Sequence, residues 1–225
     1  MNALGCSEAY RLWAPTYSDE TAISFLEDKL VSAMTPPLQG LRLLDAGCGT
    51  ARRVRNAGAG ISVALDLSAE MLDAGIAADG PLRGIEVVLG DVRNMPVPAR
   101  GFDVVWCRLV LGHLSEIDRA YAELGRVADK GATVIVTDFH PAAVEAGHRR
   151  SFRAGSEVVE VEHHVHLASE HVAAARAAGL SVRQIREATI ASDARPFYER
   201  AGRLDAYDAH FGLPVVLALA FRREH

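Results

Sequence analysis

The chain has 225 residues, about half of them apolar, with 24 basic and 29 acidic side chains and a formal charge of -5. That length can bury one sizeable core, and a mildly acidic chain without a Lys/Arg block cannot release counterions from a phosphate backbone, so no nucleic-acid partner is expected. No stretch is long and apolar enough to span a bilayer, no secretory signal opens the chain, and Cys6, Cys48 and Cys107 fit reduced thiols, so a cytoplasmic protein away from membranes is the expectation.

In chain order, a polar lead-in carrying Tyr10, Trp13 and Tyr17 precedes an amphipathic helix marked by Ala22, Phe25, Leu26, Leu30 and Val31, which Pro36-Pro37 stops. Short apolar runs follow at 41–46, 61–65, 85–89, 102–107 and 132–137, with helical patterns between them. This alternation predicts repeated βαβ units and a parallel sheet covered on both faces. A short helix should follow Thr50 and stop near Gly58, a second should begin at Ser68, and the clearest should span 116–128 behind a capping pattern at Ser115 and Asp118. Residues 139–150 read as irregular, and 153–166 as two short extended segments joined by Ala154-Gly155-Ser156, which together make an inserted flap. A helix at 169–178 ended by Gly179, an extended segment at 181–190 and a final apolar run at 214–221 bring the core strands to seven. No repeat or linker calls for a second domain.

The most specific signal is Leu43-Leu44-Asp45-Ala46-Gly47-Cys48-Gly49-Thr50, an apolar strand running into a glycine-rich turn and then a helix. Glycines permit positive φ and close backbone approach, and the helix start would offer free N–H groups to negative charge; a plain tight turn would look the same. Arg52 occupies the third position of a GxGxxG dinucleotide fingerprint, which weakens a pyrophosphate reading. Asp66 closes the second strand beside the glycine turn, where it can accept from ribose hydroxyls or share with Ser68 the capping of the next helix. Asp91 ends the third strand at the same edge and can accept from an exocyclic adenine amine. Together they describe a nucleoside site.

In this order, DAGCGT, LDLSAEML, GDVRNMPVPARGFDVVW and ELGRVADKGATVIVTD resemble a class I S-adenosylmethionine-dependent methyltransferase of the small-molecule, type 11-like branch, over residues 10–138. The resemblance implies an α/β Rossmann-like fold: a doubly wound, seven-stranded, mostly parallel sheet of order 3-2-1-4-5-7-6 with the last strand antiparallel. It implies S-adenosylmethionine as cofactor, methyl transfer to an O, N or C atom of a small-molecule acceptor, and one domain over 1–225 that acts as a monomer or homodimer. Gly47 and Gly49 would face the methionine portion, with Asp45, Ala46 and Cys48 of the same turn, and Cys107 and Arg108 of the fourth strand, also on the cofactor. Asp66 would bind the ribose, Leu67 and Met71 would flank the adenine, and Asp91 and Val92 would read its edge. Residues 1–38 would form the cofactor cover, with Tyr17 over the ligand and Tyr10 and Trp13 toward the acceptor, and 139–168 the substrate flap. Two departures stand out: Ala51 replaces a frequent glycine, and Asp129-Lys130-Gly131 replaces a common Arg-Pro-Gly turn.

A hydroxyl or amine acceptor must lose a proton, and His113 after the fourth strand and His140 after the fifth are the candidate bases; ordering their own loops is the plainer role. His164 and His166 would share one face of an extended segment, with His163 pointing away; such a face could hold a metal pair, but a lining or solvated face is the reading and no metal is assigned. Arg150 and Arg153, beside Arg149, can clamp an acceptor carboxylate or phosphate, or form a surface cluster. The competing functions are a nicotinamide-dependent oxidoreductase and a non-catalytic nucleoside-binding regulatory module.

Overall fold

A computed structural model of the chain describes residues 3–17, 20–154 and 157–225. Among them the strands are β1 (Arg42–Ala46), β2 (Ile61–Asp66), β3 (Ile85–Leu89), β4 (Phe102–Arg108), β5 (Ala128–Phe139), β6 (Ser151–Ala154), β7 (Glu157–Glu160), β8 (Leu180–Thr189) and β9 (Pro214–Arg223). The helices are α1 (Cys6–Trp13), α2 (Ala22–Met34), α3 (Arg52–Arg55), α4 (Ala69–Asp79), α5 (Asp118–Val127), α6 (Pro141–Glu145), α7 (Ala168–Ala177), α8 (Arg195–Arg200) and α9 (Leu204–His210).

Seven strands form one sheet of order β3-β2-β1-β4-β5-β9-β8, and β6 pairs with β7 as a separate hairpin. β9 runs antiparallel to both of its neighbours, while the other pairs are parallel. With the hairpin counted apart, this is the order implied by the resemblance. Successive residues point to opposite faces, and both faces are covered. Leu43, Val104 and Ile135 pack with Val31 and Met34 of α2, whereas Leu44, Val105 and Val134 pack with Tyr121 and Leu124 of α5 and Ala174 of α7. That is why the sequence shows continuous apolar runs instead of alternation.

Local chemistry sets most helix ends. Thr21 and Ser24 exchange bonds in a capping box at the start of α2, and Ser68 Oγ accepts the Met71 N–H at 3.2 Å at the start of α4. α5 departs from expectation: it begins at Asp118, and its N-cap residue Ile117 offers no side-chain bond. The far end of α5 is anchored instead, where Arg126 donates to Val97 O at 2.9 Å and Met95 O at 2.8 Å. β5 starts at Ala128, four residues earlier than the apolar run, because Ala128 already pairs with Phe102. Asp129, one of the two departures, bonds Arg42 at 2.8 Å, and Arg42 also holds Asp103. The segment expected to be irregular contains α6, and 191–213, for which the sequence offered no reading, carries α8 and α9.

Register brings the functional edge together. Ala46 pairs with Leu65 and Asp66 with Leu89, so β1, β2 and β3 end at one level. The chain leaves β1 for β2 on one side and returns to β4 on the other, which opens a crevice at the switch point.

Candidate cofactor and acceptor site

A cleft of about 480 Å3 opens at the carboxyl ends of β1 to β4, with α1 and Arg150 on its far side. That volume suits a small-molecule ligand. Gly47, at φ +82°, lies so close to β4's exit that an added Cβ would stand 2.3 Å from Val110 Cγ2. Gly49, at φ +58°, faces Met71 and Tyr17.

The N–H groups of the turn itself are all taken. Those of Gly47 and Cys48 both donate to Leu65 O, at 2.7 and 2.9 Å, and that of Gly49 donates to Asp66 Oδ2 at 2.6 Å. α3 is only four residues long and starts from Ala51 in the left-handed region. A pyrophosphate cradle is therefore absent at these three residues, whereas a ligand needing close backbone approach fits.

Asp66 and Asp91 both line the cleft. The second oxygen of Asp66 accepts the Ser68 N–H at 2.9 Å, so the carboxylate braces turn and helix alike, and each oxygen keeps lone-pair capacity for a ligand hydroxyl. Burial raises its pKa above the usual carboxylate range, and the Ser68 and Gly49 N–H groups restrain that rise. The Arg93 guanidinium, 2.6 Å from Asp91, holds that carboxyl below its ordinary range. Tyr10, Tyr17, Leu67, Met71 and Val92 border the same space.

Five residues of the expected cofactor set stand differently. Ala46 is buried in the core, as is Cys107, whose thiol burial pushes far up. Cys48 packs toward the α2 layer. Arg108 touches the cleft, but its guanidinium turns away to Glu27 at 2.8 Å and Asp28 at 2.8 Å. Asp45 lies beneath the turn with Oδ1 unpartnered among the described residues, and burial pushes its carboxyl up to about 7, with the negative Glu27 and Asp66 adding to the rise against Arg108.

Where the sequence leads us to expect the acceptor, Tyr10, Trp13, Tyr17 and Phe152 form one aromatic cluster. Trp13 stacks on Phe152 at 4.9 Å and supports the roof from outside the cleft. His113 lines the cleft, with Nε2 3.1 Å from the Tyr10 hydroxyl and Nδ1 3.4 Å from Glu162 O. Burial and the nearby Arg150 charge lower its pKa to about 2, so it is neutral. His140 does not border the cleft: its Nδ1 caps α6 by accepting the Ala142 N–H at 3.1 Å, and its Nε2 faces Glu187 at 3.2 Å.

Arg150 is 9% exposed and lines the cleft. It donates to Leu109 O at 2.9 Å and sits between the rings of Tyr10 and Phe139, with no carboxylate within salt-bridge distance among the described residues. The Arg153 side chain lies outside the described residues, as does the Gly155-Ser156 joint of the flap. Arg149 is exposed and bonds its own backbone neighbourhood. His164 faces Glu162 at 3.6 Å and His166 bonds Leu114 O at 2.8 Å, so the two do not converge. Among the described residues, no group of three or more His, Cys, Asp or Glu could hold a metal ion.

Sequence reasoning missed Glu27, which is buried in α2 and holds Arg108 and the Thr137 hydroxyl. It also missed Asp138, which gathers His163 and His171 behind the cleft. Neither carries a local signal, because the partners are far apart in the chain.

A doubly wound sheet whose switch point carries a close-approach glycine turn and two strand-end carboxylates defines a nucleoside-binding Rossmann-like protein. A family model described as a methyltransferase domain matches residues 44–136. The malonyl-[acyl-carrier protein] O-methyltransferase of Pectobacterium atrosepticum is 31% identical over 136 residues, covering 59% of this chain and 52% of that protein. An S-adenosylmethionine-dependent methyltransferase from Mesorhizobium loti shares the fold with a TM-score of 0.67 at 22% identity, over 88% of this chain and 98% of that one. The [4+2]-cyclase SpnF does so with a TM-score of 0.70 at 20% identity, over 100% and 98%. Residues 44–136 thus match a methyltransferase domain, and the fold is that of the class I S-adenosylmethionine-dependent methyltransferases, a family and fold that use S-adenosylmethionine as methyl donor. It spans 52–62% of the length of three curated relatives that it matches. No helix among the described residues is long and apolar enough to cross a membrane.

Proposed function

We propose that this chain transfers the methyl group of S-adenosylmethionine to a small-molecule acceptor that carries a carboxylate or another anionic group. One observation carries the reading: a buried guanidinium, Arg150, without a carboxylate partner among the described residues, lines the same cleft as Gly47, Asp66 and Asp91. A buried cation without a counter-charge is costly, and an anionic ligand removes that cost.

The residues present fit the donor. Gly47 admits it against the backbone where a side chain could not stand, Asp66 and Asp91 accept from ribose hydroxyls and the adenine amine, and Leu67 and Met71 offer apolar contact to the base. Tyr17 would cover it, and an aromatic face favours a sulfonium. S-adenosylmethionine supplies a methyl group made electrophilic by its sulfonium. Arg150 orients the acceptor for in-line attack, and the Tyr10–Trp13–Phe152 cluster excludes water, so proximity and orientation supply most of the rate. We assign residues 139–168 to the acceptor side, and a relative named for a malonyl acceptor is consistent with an acidic substrate.

Incubation with methyl-labelled S-adenosylmethionine and a small-molecule cell extract tests this. Label in an acidic product supports the reading, and no affinity for S-adenosylmethionine defeats it. The fold's occurrence in a cyclase favours one second reading, a protein that binds the nucleoside without methylating, for which the donor binds but no label moves.

A further inference from the structure

The start of α1 is uncapped. Its N-cap residue, Gly5, makes no side-chain bond, and the first bond of the helix runs from the Ala9 N–H to Gly5 O at 3.0 Å. The N–H groups of Cys6, Ser7 and Glu8 precede that bond, so the helix itself offers them no carbonyl, and they have no other partner among the described residues. Gly5, Cys6, Ser7 and Glu8 all line the cleft, as does Arg150.

Backbone pairing brings this helix start beside Arg150. The Leu4 N–H donates to Glu160 O at 3.0 Å, Leu4 O accepts the Glu162 N–H at 2.8 Å, and the Val161 N–H between them donates to Arg150 O at 2.9 Å. Leu4, Val161 and Arg150 therefore lie side by side, and α1 begins two residues after Leu4. The Arg150 guanidinium lies 5.9 Å from the Tyr10 ring, and Tyr10 shares a helix face with Cys6, one turn before it. Burial raises the Cys6 thiol pKa, and the Arg150 charge opposes that rise.

The guanidinium gives one bond, from Nη1 to Leu109 O at 2.9 Å, and its other N–H groups have no partner among the described residues. The nearby acids do not neutralise it. Asp66 holds the Gly49 and Ser68 N–H groups, Glu162 faces His164, and Glu8 adds a favourable charge to the first turn of α1 without bonding its N–H groups. A helix start and a guanidinium are both positive ends, and here they border one space.

We infer that the first N–H groups of α1 and the Arg150 guanidinium are the two jaws of one anion seat, which the acceptor's carboxylate or phosphate closes. This rests on the methyl-transfer reading above. A carboxylate or phosphate has oxygens enough to take the guanidinium on one side and an amide on the other, whereas a phenolate or thiolate has a single charged atom to share. Bound there, the anion bridges the N-terminal helix and the segment that carries Arg150.

The seat is tested on the full chain with inorganic phosphate as the probe and S-adenosylhomocysteine filling the donor half. In 15N NMR, phosphate should shift the Cys6, Ser7 and Glu8 amides and the Arg150 Nε resonance together, and Arg150→Met should remove the amide shifts. Cys6→Pro deletes one N–H at the first helical position, where proline is tolerated, and Gly5 already has the extended backbone that a following proline requires, with φ -59° and ψ 150°. Phosphate affinity should be roughly tenfold or more weaker in Cys6→Pro than in Cys6→Ala, which keeps that N–H, as for a lost hydrogen bond to a charged group. Equal affinity in the two variants, or amides unmoved by phosphate, overturns the seat, and the wild-type shifts decide if Cys6→Pro does not fold. Competition between phosphate and S-adenosylhomocysteine overturns the assignment to the acceptor, because the donor's own carboxylate then occupies the seat. If S-adenosylhomocysteine does not bind, the methyl-transfer reading fails, while phosphate titration of the free chain still reports whether the seat exists.

Discussion

The two halves of the cleft are built on different principles. The half proposed to hold the donor uses chain neighbours: Asp66 is braced by Gly49 and Ser68, and Asp91 by Arg93, two residues on. The half proposed to hold the acceptor is assembled from distant parts, as in the Tyr10–His113 contact across 103 positions, and Asp138 with His163 and His171 backs it from behind the cleft. A site for a shared donor is thus set by backbone geometry close to the sheet, whereas the acceptor site is made of side chains that can change without disturbing the strands. The halves also respond oppositely to pH, since burial raises the Asp45 carboxyl and lowers the His113 imidazole.

Substitutions can break or sharpen that contrast. The largest effect is expected in the donor half from Gly47→Ala, which places a Cβ 2.3 Å from Val110 Cγ2 in left-handed backbone. Strain of that kind costs about 1–3 kcal/mol before the overlap is counted, so urea denaturation should show a clear loss of stability along with donor binding. An unchanged midpoint would mean that Val110 yields freely. Arg150→Met should raise the acceptor's half-saturation concentration by roughly tenfold or more, the scale of a lost charge-assisted bond, with little change for S-adenosylmethionine. A fall in donor affinity instead would move Arg150 to the other half.

The pH contrast is smaller per unit and has a definite sign. Asp45, at about 7 in the folded chain against about 4 unfolded, adds stability that is present at low pH and lost as pH rises through that window, by at most about 1.4 kcal/mol per unit. His113, at about 2 against about 6.5 unfolded, adds stability that is present at high pH and lost as pH falls below about 6.5. Relative to the wild type, stability measured from pH 4 to 8 should therefore tilt upward with pH in Asp45→Asn and downward in His113→Gln, both below about pH 7. Identical profiles would mean that water reaches both groups. The smallest effect belongs to His140→Ala, expected to cost about 1 kcal/mol as a lost helix cap and to spare turnover. A drop in turnover would return His140 to the chemistry.

The donor half was legible in the sequence because its signals are local. An apolar run that ends in glycine or aspartate marks both the strand and what its end presents, as at Gly47, Asp66 and Asp91. The acceptor half was only partly so. Tyr10 and Arg150 could be singled out by residue type, but His140 was read as a base when it caps α6, and nothing in the sequence tied His163 to Asp138. Pairings such as Glu27 with Arg108 join separate layers of the fold and leave no periodic trace.

The central claim is that the glycine turn and the strand-end carboxylates receive one adenosyl ligand. Calorimetric titration of S-adenosylmethionine into the wild type and Asp66→Ala measures this directly. Binding to the wild type that weakens roughly tenfold or more in the variant, about the value of a hydrogen bond to a charged group, is the predicted result. Equal affinity in the two proteins, or none in the wild type, would contradict it.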